Sequence, residues 1–505
     1  MSRRGIVVGA ILIAILSFWS ATRPPATLPP LISGRKNVVL FVTTGAKGLA
    51  NVHLATSHVL SSTYPALDIH YASFAKLKPD VERVSSTNNP IKWHELPPPD
   101  ILQTVDREYG SIDGLAAPPG LDGLNKLMSD VQIMLTPWTA EEHWRLYQTI
   151  KELIYQVDPA VVVLDPGFRP AAEAVQDSRY RYVVICPNTL IDSFPHKQPW
   201  GAMLWKYPPI GSGHPFPVPW RLVPTNIYLQ LRMIYGVLVA PGVKEKRNYL
   251  LGKGINNPID LMSNQRHDVP WLAASLPEAS LPLMHVPKGA KFCGPIILEA
   301  APLEDQDAHM AAWLKQAPTI LINLGSVVRF NNAEAQSMVA ALLPILETTN
   351  NQVLWKIKKR HDFDNSFLNP VREYMDSGRV RIESWIKADP AALLATGDIK
   401  LVIHHGGANS YHEAILYGVP QIILPKWFDL YNYAATAEYV GVGIWPTKTT
   451  APNWTVEALS SALVGAISNE ALKETAQKLG QVARQYEGRL LAAREVAAIA
   501  AKGQE

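Results

Sequence analysis

The sequence has few cysteines and no concentrated block of charge. Only two of its 505 residues are cysteine, Cys186 and Cys293, and each stands beside an apolar run and a proline. Two cysteines are too few for a disulfide framework, and their number and spacing exclude a zinc cluster, so no metal is expected. Charged residues make up 18% of the chain and the formal net charge is +3. Because no basic block stands out, nucleic acid is not an expected partner.

Apolar residues are abundant, at 47% of the chain. A chain of this length is too long for one ordinary core, so we expect two domains. Residues 5–21, GIVVGAILIAILSFWSA, carry no charge and are just long enough to span a bilayer. Phe18 or Trp19 occupies the place where signal-peptide cleavage needs a small side chain. We therefore expect an uncleaved membrane anchor over 1–22, on an endomembrane, and a Pro-rich linker over 23–36. The flanking basic residues leave the side of the membrane open.

Short apolar runs rich in β-branched residues predict buried parallel strands. Helical spacing in the segments between them predicts an α/β fold with two doubly wound parallel sheets. We place an N-terminal domain at 37–295, a C-terminal domain at 296–470 and a C-terminal helix at 471–505. The runs are NVVLFVT (37–43), AVVVLD (160–165), YVVICP (182–187), PTILINLGS (318–326), QVLWKI (352–357), VRIESW (380–385), IKLVI (399–403) and VPQIILP (419–425).

Two long segments between the strands are rich in proline, tryptophan and glycine. They cover residues 86–125 and 192–290. We expect them to be irregular connections without core elements, and their aromatic content favours binding surfaces. The Ala-rich stretch at 456–502 is predicted to be helical.

The stretch HHGGANSYHEAILYG follows the predicted strand 399–403 directly. Ligands of open α/β sheets bind at the carboxyl ends of the strands, where glycines let the backbone approach and a helix N-terminus offers free N–H groups. His405 can donate to a phosphate oxygen, and Glu413 can bind a ribose diol, which together indicate a nucleotide. Asn409 or Ser410 is suited to cap the helix. The alternative is a tight turn whose glycines serve chain reversal alone.

This stretch resembles the donor signature of the family 1 nucleotide-sugar-dependent glycosyltransferases, which have the GT-B fold of two facing Rossmann-like domains. The signature's His, Gly, Asn-Ser pair and Glu match His405, Gly407, Asn409, Ser410 and Glu413. The resemblance implies a UDP-sugar as co-substrate without a further cofactor. It implies diphosphate contacts for His405, Asn409 and Ser410 and a ribose contact for Glu413. The overall residue pattern resembles that of the fungal branch of the family.

Other positions extend the resemblance over most of residues 37–470, loosely in the N-terminal half. Asp429 matches an Asp that holds the sugar hydroxyls, although plant members follow it with Gln where this chain has Leu430. Trp385 matches a Trp that stacks near the uracil. The Gly325-Ser326 pair resembles a turn that flanks the diphosphate.

The resemblance also implies a catalytic His in the first strand–helix turn, paired with an Asp after a later strand. Asp165 matches that Asp, with a helix cap as the alternative. Lys47 stands at the position of the His. A lysine ammonium is a poor base at neutral pH, so Lys47 is expected to bind diphosphate or Asp165 instead.

Three explanations of this departure stay open. His53 takes over as base, although a solvated helix residue is the simpler interpretation of that histidine. The acceptor is acidic enough to need little base. Or the protein is a slow or degenerate transferase.

We expect an inverting, metal-independent glycosyltransferase that moves a sugar, glucose in the first instance, from a UDP-sugar to a small lipophilic acceptor such as a secondary metabolite. Two alternatives come from other classes. One is a non-catalytic UDP-sugar-binding relative that acts as a regulator, and the other is an epimerase of the same fold.

Overall fold

The computed structural model describes residues 29–130, 133, 135–260 and 265–504. The membrane anchor expected at residues 5–21 lies outside the described residues and stays a prediction. Across the described ranges, no single helix combines the length and the apolarity needed to cross a membrane. The helices Trp220–Val237 and Pro241–Gly252, bent by 40° at a break, meet the length and composition conditions only together.

The first sheet grows from a strand whose central side chains are completely buried. Val39, Leu40 and Phe41 are shielded on both faces, as expected for a strand inside a parallel sheet. In the described residues this sheet has seven parallel strands: β1 (Arg35–Val42), β2 (Asp68–Ser73), β3 (Lys92–Glu95), β4 (Pro159–Leu164), β5 (Tyr182–Cys186), β6 (Trp271–Ala273) and β7 (Ala290–Phe292). Their spatial order is β3-β2-β1-β4-β5-β6-β7. The order therefore reverses between β1 and β4, and a ligand crevice is expected at their carboxyl ends.

Helices cover both faces of this sheet. The first, α1, follows β1 after a turn of four residues and buries Val52, Leu54 and Ala55 against the sheet. The α-helices with described bounds up to residue 252 are α1 (Lys47–Thr63), α2 (Lys78–Val84), α3 (Ile101–Tyr109), α4 (Leu121–Ser129), α5 (Ala140–Val157), α6 (Arg169–Ser178), α7 (Leu190–Ser193), α8 (Ala202–Trp205), α9 (Val223–Val239) and α10 (Pro241–Gly252).

The expectation that residues 86–125 and 192–290 lack core elements was wrong. The first range contains β3 and α3, and the second contains α8 to α10 and the short strand β6. The prolines misled the sequence interpretation, because Pro224 and Pro241 lie in the first turns of α9 and α10. A proline there costs the helix no hydrogen bond.

The second sheet confirms the other half of the predicted architecture. Its six described strands are β8 (Thr319–Asn323), β9 (Gln352–Lys356), β10 (Val380–Glu383), β11 (Ile399–His404), β12 (Gln421–Ile423) and β13 (Gly443–Ile444). They are parallel in the order β10-β9-β8-β11-β12-β13, with the reversal between β8 and β11. The remaining helices are α11 (Leu303–Gln306), α12 (Ala308–Leu314), α13 (Asn332–Thr348), α14 (Arg372–Asp376), α15 (Pro390–Ala395), α16 (Ala408–Tyr417), α17 (Phe428–Val440), α18 (Val456–Ser468), α19 (Glu470–Tyr486) and α20 (Gly488–Ala500).

The C-terminal segment returns to the first domain. Residues 456–500 are helical as expected, and the range 471–505 contains most of α19 and the whole of α20. Helix α19 packs on α16, whereas α20 packs on α1, β1 and β4. The alanines Ala492 and Ala493 of α20 are completely buried among residues of the first sheet. Small side chains there let α20 approach the sheet closely, so the chain's last helix ties the two domains together.

Helices α16 and α19 meet through two glycines. Gly418 ends α16 with a φ of +68°, and a Cβ on Gly480 would lie 2.8 Å from the Gly418 Cα and backbone nitrogen. Such a distance is too short for any side chain. The position of α16, which carries the signature residues, therefore depends on the absence of a side chain at residue 480.

We expect Gly480→Ala to lower the free energy of unfolding by about 1–3 kcal/mol, because the added methyl group overpacks against rigid backbone. The matched control is Gly465→Ala in α18, where a Cβ meets nothing within 4 Å. That change is expected to stabilise the protein by up to about 1 kcal/mol through helix propensity. Denaturant unfolding of both variants is the measurement. Equal effects of the two changes would contradict the close approach.

Candidate active site

The carboxyl ends of the two sheets face one cleft between the domains. The side-chain amide of Asn409, at the start of α16, donates to the backbone oxygen of Gly48 in the first turn of α1, at 3.0 Å. The Tyr411 hydroxyl donates to the Ala279 oxygen at 2.9 Å. These bonds bring the signature stretch of the second domain against the first strand–helix turn of the first domain. Polar groups from both domains therefore line one site.

The start of α16 differs from expectation in one detail. Gly407 is the N-cap, with extended backbone and no side-chain cap, while Asn409 and Ser410 lie inside the first turn. The prediction that Asn409 or Ser410 caps this helix was therefore wrong. Because no side chain occupies the cap, the first N–H groups of α16 are left for a ligand in the cleft.

The His405 imidazole lies between two glycines. A Cβ on Gly325 or on Gly407 would come within 2.7 Å of its Cε1 atom, so only glycine fits at either position. The φ of Gly325 is +81°, which also favours glycine. Nδ1 of His405 is buried without a hydrogen-bond partner among the described residues. Burial, followed by the charges of His404 and Lys356, lowers the pKa of His405 to about 3, so the ring is neutral.

The neighbouring histidine has a different role. His404 is completely buried, its Nδ1 accepts from the Gly406 N–H at 3.0 Å, and its Nε2 lies 2.7 Å from the Gln421 side-chain oxygen. An acceptor at Nδ1 requires the proton on Nε2, which then donates to Gln421. His404 thus holds the turn, and His405 alone is left for a ligand.

A buried cation that the sequence interpretation missed lies near His405. Lys356, the last residue of β9, is 8% exposed, and its Nζ lies 4.7 Å above the Trp385 ring. Among the described residues, no carboxylate lies within ion-pair distance of this ammonium group. Burial, followed by the charge of Lys358, lowers its pKa to about 8. In the sequence, the one feature that could have indicated Lys356 as a site residue is its position at the end of an apolar strand.

Trp385 itself is 55% exposed, which is unusual for a large aromatic side chain at a strand end. With Lys356 above its ring, part of the indole surface is free for a planar ligand. The turn Gly325–Ser326 follows β8, where the Asn323 side-chain oxygen accepts from the Gly325 N–H at 3.1 Å. Ser326 is exposed at the tip of that turn.

Two acidic side chains of the signature are half-buried and hold their protons unusually tightly. Burial, with a smaller contribution from Asp389, raises the pKa of Glu413 to about 8. Burial also raises the pKa of Asp429, in the first turn of α17, to about 7, and the Asp192 carboxylate adds to this. Asp192 belongs to the first domain and accepts from the Asn432 side chain at 2.9 Å. The sequence interpretation missed Asp192 because it lies in a segment expected to be irregular.

Asp165 lies at the carboxyl end of β4, next to the turn that follows β1. Its carboxylate is completely buried and accepts from the Thr44 hydroxyl at 3.0 Å and from the Gly167 N–H at 2.8 Å. Burial raises its pKa above the ordinary range. The alternative role as a helix cap is not found, since α6 has Phe168 as its N-cap.

For each of the two neighbouring basic residues, one alternative was wrong. Lys47 does not pair with Asp165, because its Nζ lies 2.9 Å from the Asp80 carboxylate instead, and its contact to a diphosphate stays a prediction. His53 is not a solvated helix residue: it is completely buried, beside Phe41. Burial lowers the pKa of His53 to about 3. An imidazole of such low pKa is a weak base, which argues against His53 as the group that takes the acceptor proton.

Comparisons with known proteins agree with this geometry. The profile of the family described as "Erythromycin biosynthesis protein CIII-like, C-terminal domain" matches residues 376–485, which include the signature stretch. Glycosyltransferase sdnJ of Sordaria araneosa is 32% identical over 434 residues, covering 81% of this chain and 83% of the relative. Human 2-hydroxyacylsphingosine 1-beta-galactosyltransferase is 25% identical over 274 residues, 53% of this chain and 46% of that protein.

Solved structures share the fold. The glycotransferase of kitacinnamycin superposes with a TM-score of 0.61 at 15% identity, over 92% of this chain and 99% of its own. A UDP-glucosyltransferase from Polygonum tinctorium gives a TM-score of 0.60 at 16% identity, over 95% and 100% of the two chains. With two facing parallel-sheet domains and the signature at the cleft, the chain belongs to the family 1 UDP-glycosyltransferases of the fungal type and is a UDP-sugar-dependent glycosyltransferase.

Proposed function

We propose that the protein transfers glucose from UDP-glucose to a small lipophilic acceptor, with inversion at the anomeric carbon. The hydrogen bond from Asn409 to the Gly48 oxygen carries this proposal. It brings the donor signature of one domain to the first strand–helix turn of the other, next to Asp165. Donor and acceptor can then meet in one cleft that is lined by groups for both partners.

The second domain supplies the groups that a UDP-sugar needs. The free N–H groups of α16, the neutral His405 and the Lys356 ammonium can bind the diphosphate. The uracil would stack on Trp385, which agrees with the exposure of that ring. Glu413 would accept from the ribose hydroxyls, and Asp429 from the hydroxyls of the sugar. No metal is needed, because these donors and Lys356 offset the charge on the leaving diphosphate.

The transfer step is a single displacement. The acceptor oxygen bonds to the anomeric carbon from the face opposite UDP, the bond from that carbon to the diphosphate oxygen breaks, and UDP leaves. Asp165 receives the acceptor proton, since burial raises its pKa and so makes its carboxylate a better base than a solvated one. Lys47 stays in its ion pair with Asp80 and does not compete for that carboxylate. An acidic hydroxyl such as a phenol suits a carboxylate base best.

An apolar cavity in the first domain supports a lipophilic acceptor. It is open to solvent and comprises about 500 Å³ of empty space including that open part, and its lining includes Leu115, Leu124, Ile210 and Leu229. Its wall is tied to the donor domain, because the Ala117 N–H donates to the Lys426 oxygen at 3.0 Å and the Tyr431 hydroxyl donates to the Ala117 oxygen at 2.6 Å. Asp429 lies between these two donor-domain residues in sequence, so the cavity adjoins the expected position of the sugar.

The first test is UDP release from UDP-glucose by the purified protein with a panel of phenols and alcohols. We expect phenol-dependent turnover that Asp165→Asn lowers by about 100-fold or more, the usual size of a general-base contribution. The affinity for UDP should stay unchanged, because Asp165 belongs to the other domain. UDP binding without turnover by any acceptor would favour a non-catalytic relative, and release without acceptor would favour an epimerase or a hydrolase.

A second prediction concerns the buried lysine. Lys356→Met is expected to weaken UDP binding about tenfold or more, because it removes a charged contact to the diphosphate. The affinity for uridine, which has no phosphate, should change much less. Calorimetric titration with both ligands measures this, and Lys315→Met, at a 63% exposed side chain of the same domain, is the control. An equal loss for uridine and UDP would contradict a diphosphate contact.

The raised pKa of Glu413 gives a third prediction. Its pKa in the folded protein is about 8, well above the ordinary value of 4.5, so the folded state binds this proton more tightly than the unfolded state. The protein therefore loses stability from this group as pH rises from about 4.5 to 8. Each pKa unit corresponds to about 1.4 kcal/mol, which partial exposure reduces.

Glu413→Gln lacks this titration. Relative to wild type it should gain on the order of 1–3 kcal/mol in unfolding free energy between pH 5 and about pH 8. Thermal or urea unfolding across that range measures the difference. Gln477→Ala, at an exposed residue of α19 that carries no titratable group, serves as the control and should show a difference from wild type that does not change with pH. A constant difference between Glu413→Gln and wild type would show that the carboxyl group is already ionised in the folded protein.

A further inference from the structure

One face of α9 is apolar and exposed. Pro224, Tyr228, Leu231 and Tyr235 follow one another at the spacing of a single helical face, and all four are exposed, Tyr235 to 60%. The opposite face is packed: Leu229 is buried and lines the apolar cavity described above. An apolar stripe of this length on the outside of a globular domain marks a surface for a partner.

Tryptophans extend this surface beyond the helix. Trp200 and Trp220 are the most exposed large hydrophobic side chains among the described residues, at 82% and 81%. The rings of Trp220 and Trp205 are stacked at 6.3 Å, which holds one indole against the other. Trp200 has a φ of +55°, a backbone conformation that L-residues disfavour. The protein therefore presents these rings to solvent at an energetic cost, which points to a contact made outside the chain.

The charge of the segment identifies the partner's chemistry. Residues 193–253 contain one acidic residue, Glu245, against eight lysines and arginines. Lys197, Arg221, Lys244 and Lys253 are exposed. Aromatic rings and leucine on one face with basic residues around them are the pattern of an element that lies in the interface of an anionic lipid bilayer. The basic residues are Lys197, Lys206, Arg221, Arg232, Lys244, Lys246, Arg247 and Lys253.

The start of the described chain contacts a groove that the basic residue Lys197 also lines. The Pro29 oxygen accepts from the Arg266 guanidinium at 3.1 Å, and Arg266 and Lys197 line the same surface groove. The preceding residues, with the apolar run 5–21, are therefore joined to the body close to the basic end of this surface. A bilayer held by that run would be within reach of α9.

We propose that the surface formed by α9, Trp200 and Trp220 docks on an anionic phospholipid bilayer. Docking places the outer face of α9 in the lipid interface while its inner face lines the acceptor cavity. A lipophilic acceptor dissolved in the bilayer then has a short route to the cleft. That route rests on the proposed function, whereas the docking itself does not.

The experiment uses a polarity-sensitive fluorophore on the full-length chain. Both native cysteines are buried, and burial raises the pKa of each thiol to about 12, so a cysteine introduced at the surface reacts selectively. Leu231→Cys places the label on the exposed face of α9. Val464→Cys, at a residue of similar exposure on α18, is the matched control and also reports on any effect of the segment 5–21 alone.

With vesicles of phosphatidylcholine containing about one third phosphatidylserine, the label at residue 231 should shift to the blue and brighten by about twofold or more. The label at residue 464 should not respond, and added salt or pure phosphatidylcholine should weaken the response at residue 231. No response at residue 231, or an equal response at both positions, overturns the proposal.

A blue-shifted emission at residue 231 without vesicles also overturns it. If that signal depends on protein concentration, a second copy covers the face. If it does not, the chain's own segment 5–21 covers it. The same labelled proteins are also assayed for UDP affinity and for UDP release with a detergent-dispersed phenol. Intact turnover without a lipid response refutes the docking alone. A lipid response without turnover refutes the proposed reaction alone.

Discussion

The gap that Gly325 and Gly407 leave for the His405 imidazole is the constraint on which the cleft depends. A side chain at either glycine would displace the ring. The ring is neutral and lacks a partner for Nδ1 within the described part of the chain, and the first N–H groups of α16 follow it in sequence. An anion that enters the cleft therefore meets donors that are already oriented, which lowers the cost of ordering them on binding.

The electrostatics of the cleft follow from its poor access to water. Burial lowers the pKa of Lys356 and raises the pKa of Asp165, Glu413 and Asp429, because each charged form loses hydration. The cation lies on the side where a diphosphate is expected, and the acids lie where hydroxyl groups are expected. A buried ammonium group and carboxyl groups of raised pKa thus divide the cleft into a part suited to the proposed diphosphate and a part suited to the proposed sugar and acceptor.

Contacts between elements far apart in sequence hold the two domains in their relative position. Helix α20 packs on the first sheet, α19 packs on α16, and the Asn409 and Tyr411 side chains bond across the cleft. Helix α9 differs from these elements, because one of its faces is packed against the domain and the other is exposed to solvent. The same first domain therefore combines a rigid side, which sets the distance between donor and acceptor sites, with an exposed apolar side that is left for a partner.

The sequence by itself determined the parallel sheets, because buried strands of such sheets are recognisable as continuous apolar runs. It also determined the proposed donor side of the site, because a single turn and helix contain His405, Gly407, Asn409 and Glu413. The tertiary structure alone decided the rest. Lys356, Asp192 and the partners of Asp165 and Lys47 come from separate strands and loops, so their distances depend on how the sheets pack. Burial, which sets the protonation of these groups and lowers the pKa of His53, is likewise a property of the packed chain and is not contained in any local pattern.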